Sequence, residues 1–216
     1  YETGLSVMRQ GATSVKKYSL ELGGNAPVVV MGDVDVDDVA EKIVAKKVGF
    51  AGQTCVNYNR IYIHESIYGE MCCAVEKHLK KVKLGSGKDE GDIMGPVINN
   101  AARSRILELI DDAVKNGARL ITGGEIPKGF EKGSYITPAL LADVTDDMRV
   151  SREEIFGPVI PLQPFSELDE AIERSNNTIF GLSAYFYGHN AAEMSRFASS
   201  VHAGEVFVNG AAGTEF

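Results

Sequence analysis

PVVVMGDVDVDDVAEKIVAKKVGFAGQTCVNYNRIYI, residues 27–63, reads as strand, helix, loop and strand in succession. Pro27 to Met31 forms a short β segment, and Arg60-Ile61-Tyr62-Ile63 forms the next. Between them, four aspartates crowd Asp33-Val34-Asp35-Val36-Asp37-Asp38. Their spacing at 33, 35 and 37 faintly resembles a calcium loop. Such a loop needs Gly at its sixth position and Glu at its twelfth, and those positions hold Asp38 and Val44. The aspartates suit the N-terminus of a helix over Asp35 to Val48, where the helix dipole favours negative charge. After that helix comes Phe50-Ala51-Gly52-Gln53-Thr54-Cys55, a loop of small residues that presents a thiol.

The same alternation continues in both directions. Residues 4–14 are expected to be helical, and Tyr18 to Leu22 to be a short β segment before Gly23-Gly24. Ser66 to Val82 is the clearest helix, with Ile67, Met71, Val75, Leu79 and Val82 on one stripe. Asn99 to Asn116 is another, with Arg103, Ile106, Ile110, Ala113 and Gly117 near one face and Gly117 placed for a C-cap. Leu120 to Thr122 and Pro158 to Leu162 read as buried strands. Glu167 to Ser175 reads as a helix, Ala184 to Tyr187 as a strand, Ala191 to Ser199 as a helix and Glu205 to Val208 as a last strand. This pattern predicts an α/β domain with a largely parallel sheet. No internal repeat or Pro- or Ser-rich linker divides it.

The 216 residues suit one large domain or a tight pair, and 44% apolar content supplies a substantial core. A net charge of −8, from 22 basic and 30 acidic residues, argues against nucleic acid or an anionic membrane as partner. Three cysteines, two of them adjacent at Cys72 and Cys73, suggest no disulfide framework and favour a reducing compartment. No signal peptide and no apolar run of membrane-spanning length is visible. A cytoplasmic location is expected. The chain opens at Tyr1 without a methionine and stops at Phe216 just after a strand-like segment, so it reads as part of a longer protein.

Several motifs carry no function on inspection. Gly85-Ser86-Gly87-Lys88 resembles the tail of a phosphate loop, but Val82 and Asp89 stand where that loop needs Gly and Ser or Thr. It reads as a connection between helices. His64, His78, His189 and His202 form no pair at metal-ligand spacing, and each reads as structural, with His78 on the polar half of its helix. No metal is expected. Cys72 lies near an apolar stripe and Cys73 one step off it, neither in surroundings that activate a thiol. For Cys55, Gly52 allows an unusual backbone conformation or a close approach to a ligand. Taken alone, Cys55 reads equally as a reactive thiol or as an inert loop thiol. Glu21 taken alone could simply pair with a lysine. Together, 34 positions apart (55 − 21), they favour a reactive pair.

Leu20-Glu21-Leu22-Gly23-Gly24-Asn25-Ala26-Pro27 and Phe50-Ala51-Gly52-Gln53-Thr54-Cys55 resemble the two hallmark segments of the aldehyde dehydrogenase superfamily. Glu153-Glu154-Ile155-Phe156-Gly157-Pro158 matches a third. Weaker agreements are Met94 to Ile98, Gly117-Ala118 through Gly123-Gly124, and Asn177-Thr178 through Gly181-Leu182. The resemblance runs in order over essentially the whole chain. It implies a three-layer α/β/α catalytic domain with a mostly parallel sheet. Residues 1–216 would be that domain, truncated at both ends, with most of the dinucleotide-binding domain before Tyr1.

The resemblance also implies roles. Cys55 would attack an aldehyde as thiolate, with its backbone N–H helping to hold the oxyanion. Glu21, in a partly apolar setting, would activate the water that hydrolyses the thioester. Glu154 would bind the nicotinamide-ribose hydroxyls of NAD or NADP, Phe156 would pack near the nicotinamide, and the Leu22 backbone would meet the carboxamide. The presence of Glu21 favours release as a free acid over transfer to coenzyme A. The overall texture resembles bacterial succinate-semialdehyde dehydrogenases. Those enzymes typically carry Arg six positions before the nucleophile, where this chain has Gly49, which leaves a less charged entrance. A homodimer or homotetramer is the implied assembly. The rivals are a cysteine hydrolase, which leaves Glu21 and Glu154 without a role, and a binding protein that kept the fold without the activity.

Overall fold

The computed structural model describes residues 1–88, 91 and 93–210. Its elements follow in the order α1 (Glu2–Gly11), β1 (Ala26–Val30), α2 (Val36–Val48), β2 (Tyr58–His64), α3 (Tyr68–Leu79), α4 (Asn100–Lys115) and β3 (Arg119–Thr122). Then come β4 (Ala139–Ala142), α5 (Arg149–Arg152), β5 (Val159–Phe165), α6 (Leu168–Asn176), β6 (Ser183–Tyr187), α7 (Ala191–Ser200) and β7 (Glu205–Val208). The aspartate cluster does the capping expected of it. Asp35 accepts the N–H groups of Asp37 and Asp38, both at 3.1 Å, and α2 starts there. Asn99 caps α4 by accepting the N–H of Ala102 at 2.9 Å. Gly117 follows the end of α4 with φ +105°, a conformation that glycine adopts without steric cost.

The seven strands form one sheet in the order β3-β4-β5-β2-β1-β6-β7. Every neighbouring pair is parallel except β3 with β4. Successive side chains on a strand face opposite sides, and the core divides accordingly. Val28, Val30, Ile61, Ile63, Tyr185 and Tyr187 pack with α2, α3 and α4 on one face. Val29, Tyr62, Ala184 and Phe186 pack with α6 and α7 on the other. Fully burying each Val or Ile contributes about 1.5–3 kcal/mol. A sheet covered on both faces makes the three layers that the resemblance implied. No helix among the described residues is long and apolar enough to cross a membrane.

Several local expectations need correcting. Tyr18 to Leu22 is irregular, not a strand, and Leu20 is exposed. The helix expected over Ser66 to Val82 begins as a 3₁₀ turn at Glu65–Ile67 and is α-helical only over Tyr68–Leu79. Its stripe of Ile67, Met71, Val75 and Leu79 is buried as foreseen. His78 is buried rather than on a polar face, because α3 packs on the start of α2. Its Nε2 lies 3.0 Å from Asp37 Oδ1, and Lys77 reaches the same oxygen at 2.8 Å. Lys77 and His78 hold the Asp37 carboxyl below its ordinary range. The strand at 119–122 is half exposed, because it is a sheet edge with β4 as its neighbour. β4 itself has no strong strand propensity in its Ala-Leu-Leu-Ala and is defined by burial between β3 and β5. Gly85 to Lys88 lies in the connection between α3 and α4, while Asp89 and Phe216 fall outside the described residues.

Candidate active site

β5, β2 and β1 are adjacent and parallel. The segments that lead into them therefore meet at one end of the sheet. Residues 21–25 enter β1, 53–57 enter β2 and 153–158 enter β5. This is the amino end of the strands, opposite to the carboxyl end where open α/β sheets usually bind ligands. Glu21, Leu22, Cys55, Glu154 and Phe156, all five residues singled out from the sequence, line one cleft of about 600 Å³ there.

Cys55 is half-buried and carries a free thiol. Its approach is a tight turn in which Phe50, Ala51 and Gly52 have φ of 51°, 53° and 76°. Left-handed non-glycine residues cost on the order of 1–3 kcal/mol each, and persist where surrounding contacts hold them. Those contacts are visible. Gln53 Nε2 donates to the Phe50 carbonyl at 2.9 Å, and Gln53 Oε1 accepts the N–H of Ile98 at 2.8 Å. Tyr185 Oη donates to the Val56 carbonyl at 2.7 Å. A Cβ on Gly52 would stand 2.2 Å from the Gly157 carbonyl oxygen, so the turn packs directly on the segment entering β5.

Gly23 and Gly24 make the same kind of close approach. A Cβ on Gly23 would meet Glu154 Oε2 at 2.3 Å, and one on Gly24 would meet the Cys55 carbonyl oxygen at 2.2 Å. The Gly24 N–H donates to Glu154 Oε1 at 2.8 Å. Burial raises the Glu154 carboxyl above its ordinary range, partly offset by that N–H and by the charge of Arg105. Glu21 is exposed, so this chain does not give it the partly apolar setting expected. Leu22 is half-buried, and Phe156 presents 42% of its surface with φ 50°.

A buried polar scaffold behind the cleft was not foreseen. Asn59 Nδ2 donates to Asn25 Oδ1 at 2.6 Å and to the Glu153 carbonyl at 2.9 Å, while its Oδ1 accepts the N–H of Ile155 at 2.9 Å. Asn25 Nδ2 donates to the Ser151 carbonyl at 3.0 Å. Arg60 is buried and donates to the carbonyls of Asn25, Arg174 and Ser175. Arg105, from α4, donates to the carbonyls of Glu154 at 2.9 Å and Ile155 at 3.1 Å. These bonds fix residues 151–155 to Asn25, Asn59 and α4, and through Arg60 fix Asn25 to residues 174–175. They span from 34 to more than 120 positions, so no local pattern announces them. The nearest sequence signal was Asn25 inside the glycine motif.

The sequence pattern of the aldehyde dehydrogenase family matches residues 1–215. The chain is 39% identical over 209 residues to the succinate-semialdehyde dehydrogenase [NADP(+)] GabD of Escherichia coli K12, covering 96% of this chain and 43% of that protein. It is 38% identical over 208 residues to the glutarate-semialdehyde dehydrogenase of Pseudomonas putida KT2440, covering 96% and 42%. Among solved structures, the betaine aldehyde dehydrogenase of Staphylococcus aureus in complex with NAD+ superposes with a TM-score of 0.93 at 31% identity, over 98% of this chain and 42% of that one. This chain belongs to the aldehyde dehydrogenase family. It spans about two fifths of the length of the relatives it matches.

Proposed function

We propose that this chain is the catalytic domain of an NAD(P)-dependent aldehyde dehydrogenase that oxidises an aldehyde, a semialdehyde among the candidates, to a carboxylic acid. The observation that carries the reading is the single cleft holding Cys55, Glu21 and Glu154. Its residues fit a nicotinamide dinucleotide. Glu154 is a half-buried carboxylate aimed into the cleft, Gly23 leaves room beside it where any Cβ would collide, and the Phe156 ring is exposed at the same place. A carboxylate accepts hydrogen bonds from a ribose diol, and an aromatic face packs on a flat ring. GabD carries NADP(+) in its name and the S. aureus enzyme was solved with NAD+, which supports this cofactor class. When bound, the cofactor supplies the acceptor for the hydride leaving the aldehyde carbon.

The residues of this chain do the rest. Cys55, as thiolate, forms a C–S bond to the carbonyl carbon, and the carbonyl π electrons move to oxygen. The Cys55 backbone N–H stabilises that oxyanion. Loss of hydride leaves a thioester on Cys55. Glu21 takes a proton from water as the water attacks, a general-base contribution of roughly 10²–10⁴-fold, and the acid departs with the thiolate restored. Residues outside 1–216 complete the cofactor site, so the isolated chain is expected to be inactive. A dimer or tetramer of the whole enzyme in the cytoplasm is part of the same proposal. The resemblance supports the assembly, and the three free cysteines fit a reducing compartment.

The test follows the formation of reduced cofactor by its absorbance, with the intact enzyme, a panel of aldehydes and either NAD or NADP. Cys55→Ala should abolish the signal. Glu21→Gln should keep a single burst of reduced cofactor and lose steady turnover. Normal steady turnover in either variant refutes the assigned role.

A further inference from the structure

Lys47, in the last turn of α2, is only 1% exposed, a rare position for a lysine. Its Nζ donates to the carbonyl of Tyr58, the first residue of β2. That carbonyl lies where the β1–β2 ladder skips Asn59, since Ala26 faces Tyr58 and Pro27 faces Arg60. Such an irregularity disrupts the ladder, and buried backbone groups there need another partner. One residue away, Asn57 Nδ2 donates to the Lys46 carbonyl at 3.2 Å. The two bonds run in opposite directions between the same two stretches, residues 46–47 and 57–58. They close residues 48–56 into a loop, and Cys55 is inside it. The left-handed residues 50–52 form the other limb of that loop. Gln53 fastens its crown to Ile98, but its base is fastened by Lys47 and Asn57.

Burying an ammonium is costly. Burial pushes Lys47 down to about 7, against the opposing pull of the Glu154 charge. A methionine of similar length would avoid that desolvation. What lysine adds at this position is the donor.

We propose that Lys47 is a positioning residue for Cys55, tying the base of the nucleophile turn together with Asn57 so that the thiol keeps its direction into the cleft. This rests on the reading of Cys55 as nucleophile. Lys47 meets no reacting atom and acts through the backbone of Tyr58.

The test is the iodoacetamide alkylation rate of Cys55 in the intact protein, read peptide by peptide by mass spectrometry. The exposed Cys73 is the internal standard. Turnover with an aldehyde is measured alongside. Lys47→Met removes the donor and Lys47→Arg keeps a charged one. Asn57→Ala breaks the second tie without touching the buried cation. Lys47→Met and Asn57→Ala should each shift the Cys55-to-Cys73 rate ratio by about fivefold or more. Each should lower kcat by about tenfold or more with KM little changed, as expected when a reacting atom is displaced. Lys47→Arg should recover most of both. If the ratio stays within about twofold of wild type in Asn57→Ala and in every Lys47 variant that folds, the proposal is overturned. An equal shift in Lys47→Arg and Lys47→Met also overturns it, because volume and not the donor would then be responsible. Turnover surviving in Cys55→Ala would defeat the reading of the nucleophile instead, and the alkylation ratio would still judge the tie.

Discussion

Gly24→Ala tests the site geometry most directly. The added Cβ would fall 2.2 Å from the carbonyl oxygen of Cys55, about 1 Å inside the closest ordinary approach. The obstacle is backbone, so no rotamer change relieves it. Either the entry to β1 or the turn that carries Cys55 must move. β1 is clamped between β2 and β6, and the turn is held by Gln53, Asn57 and Tyr185. Overpacking of this kind costs about 1–3 kcal/mol. Movement at residue 24 also breaks its N–H bond to Glu154, and a bond to a charged group contributes about 1.5–3 kcal/mol. The sum predicts a loss of about 3–6 kcal/mol. With Cys55 as the proposed nucleophile, a displacement near 1 Å there predicts about a 10²-fold loss in kcat. Urea unfolding gives the first quantity and steady-state turnover of the intact enzyme the second. Gly69→Ala is the control: it lies in the first turn of α3 with nothing within 4 Å of the added carbon. That substitution should gain about 0.4–1 kcal/mol through helix propensity and chain entropy. A Gly24→Ala enzyme with wild-type stability and kcat would refute the close approach of the two segments.

Lys47→Met should change how stability depends on pH. Lys47 titrates at about 7 when folded against 10.5 as an ordinary lysine. Between those values the unfolded chain binds the extra proton, so wild-type stability rises with pH across that window. The full rise is at most about 5 kcal/mol at 1.36 kcal/mol per pKa unit. The wild-type minus Met difference in unfolding free energy should therefore climb from pH 7 to 10, and a flat difference refutes the downward shift of Lys47. Asn59→Ala strands the Ile155 N–H and Asn25 Oδ1 in the interior. At about 1–3 kcal/mol for each of the two buried groups left unpaired, it should cost about 2–6 kcal/mol in urea unfolding. A loss under about 1 kcal/mol would show that the network does not hold residues 151–155.

Much of the layered architecture was legible in the sequence because its cause is local. The Val-rich run at 28–30 demands burial on both sides, and the aspartates at 35–38 can start a helix with no outside help. Where local and tertiary forces compete, the sequence misled. Ala139–Ala142 lacks strand propensity and is a strand because β3 and β5 enclose it. Tyr18–Leu22 has strand-like composition but finds no partner in the sheet. His78 falls on the polar side of its helical pattern yet is buried, because α2 brings Asp37 to it.

The same division holds at the cleft. Sequence by itself determined which residues carry a thiol or a carboxylate and pointed to Gly52 as a place of close approach, because a thiol, a carboxylate and a missing Cβ are properties of single residues. It could not determine that three strand entries converge at the amino end of the sheet, since strand order is set by packing of both faces. Nor could it show what holds them there. The bonds of Asn25, Asn59, Arg60 and Arg105 join segments far apart in the chain, and the tie from Lys47 to Tyr58 depends on a skipped residue in the β1–β2 ladder. A backbone carbonyl left without a ladder partner has no mark in the amino-acid sequence; only the folded sheet creates it, and only then does the buried lysine have something to bind.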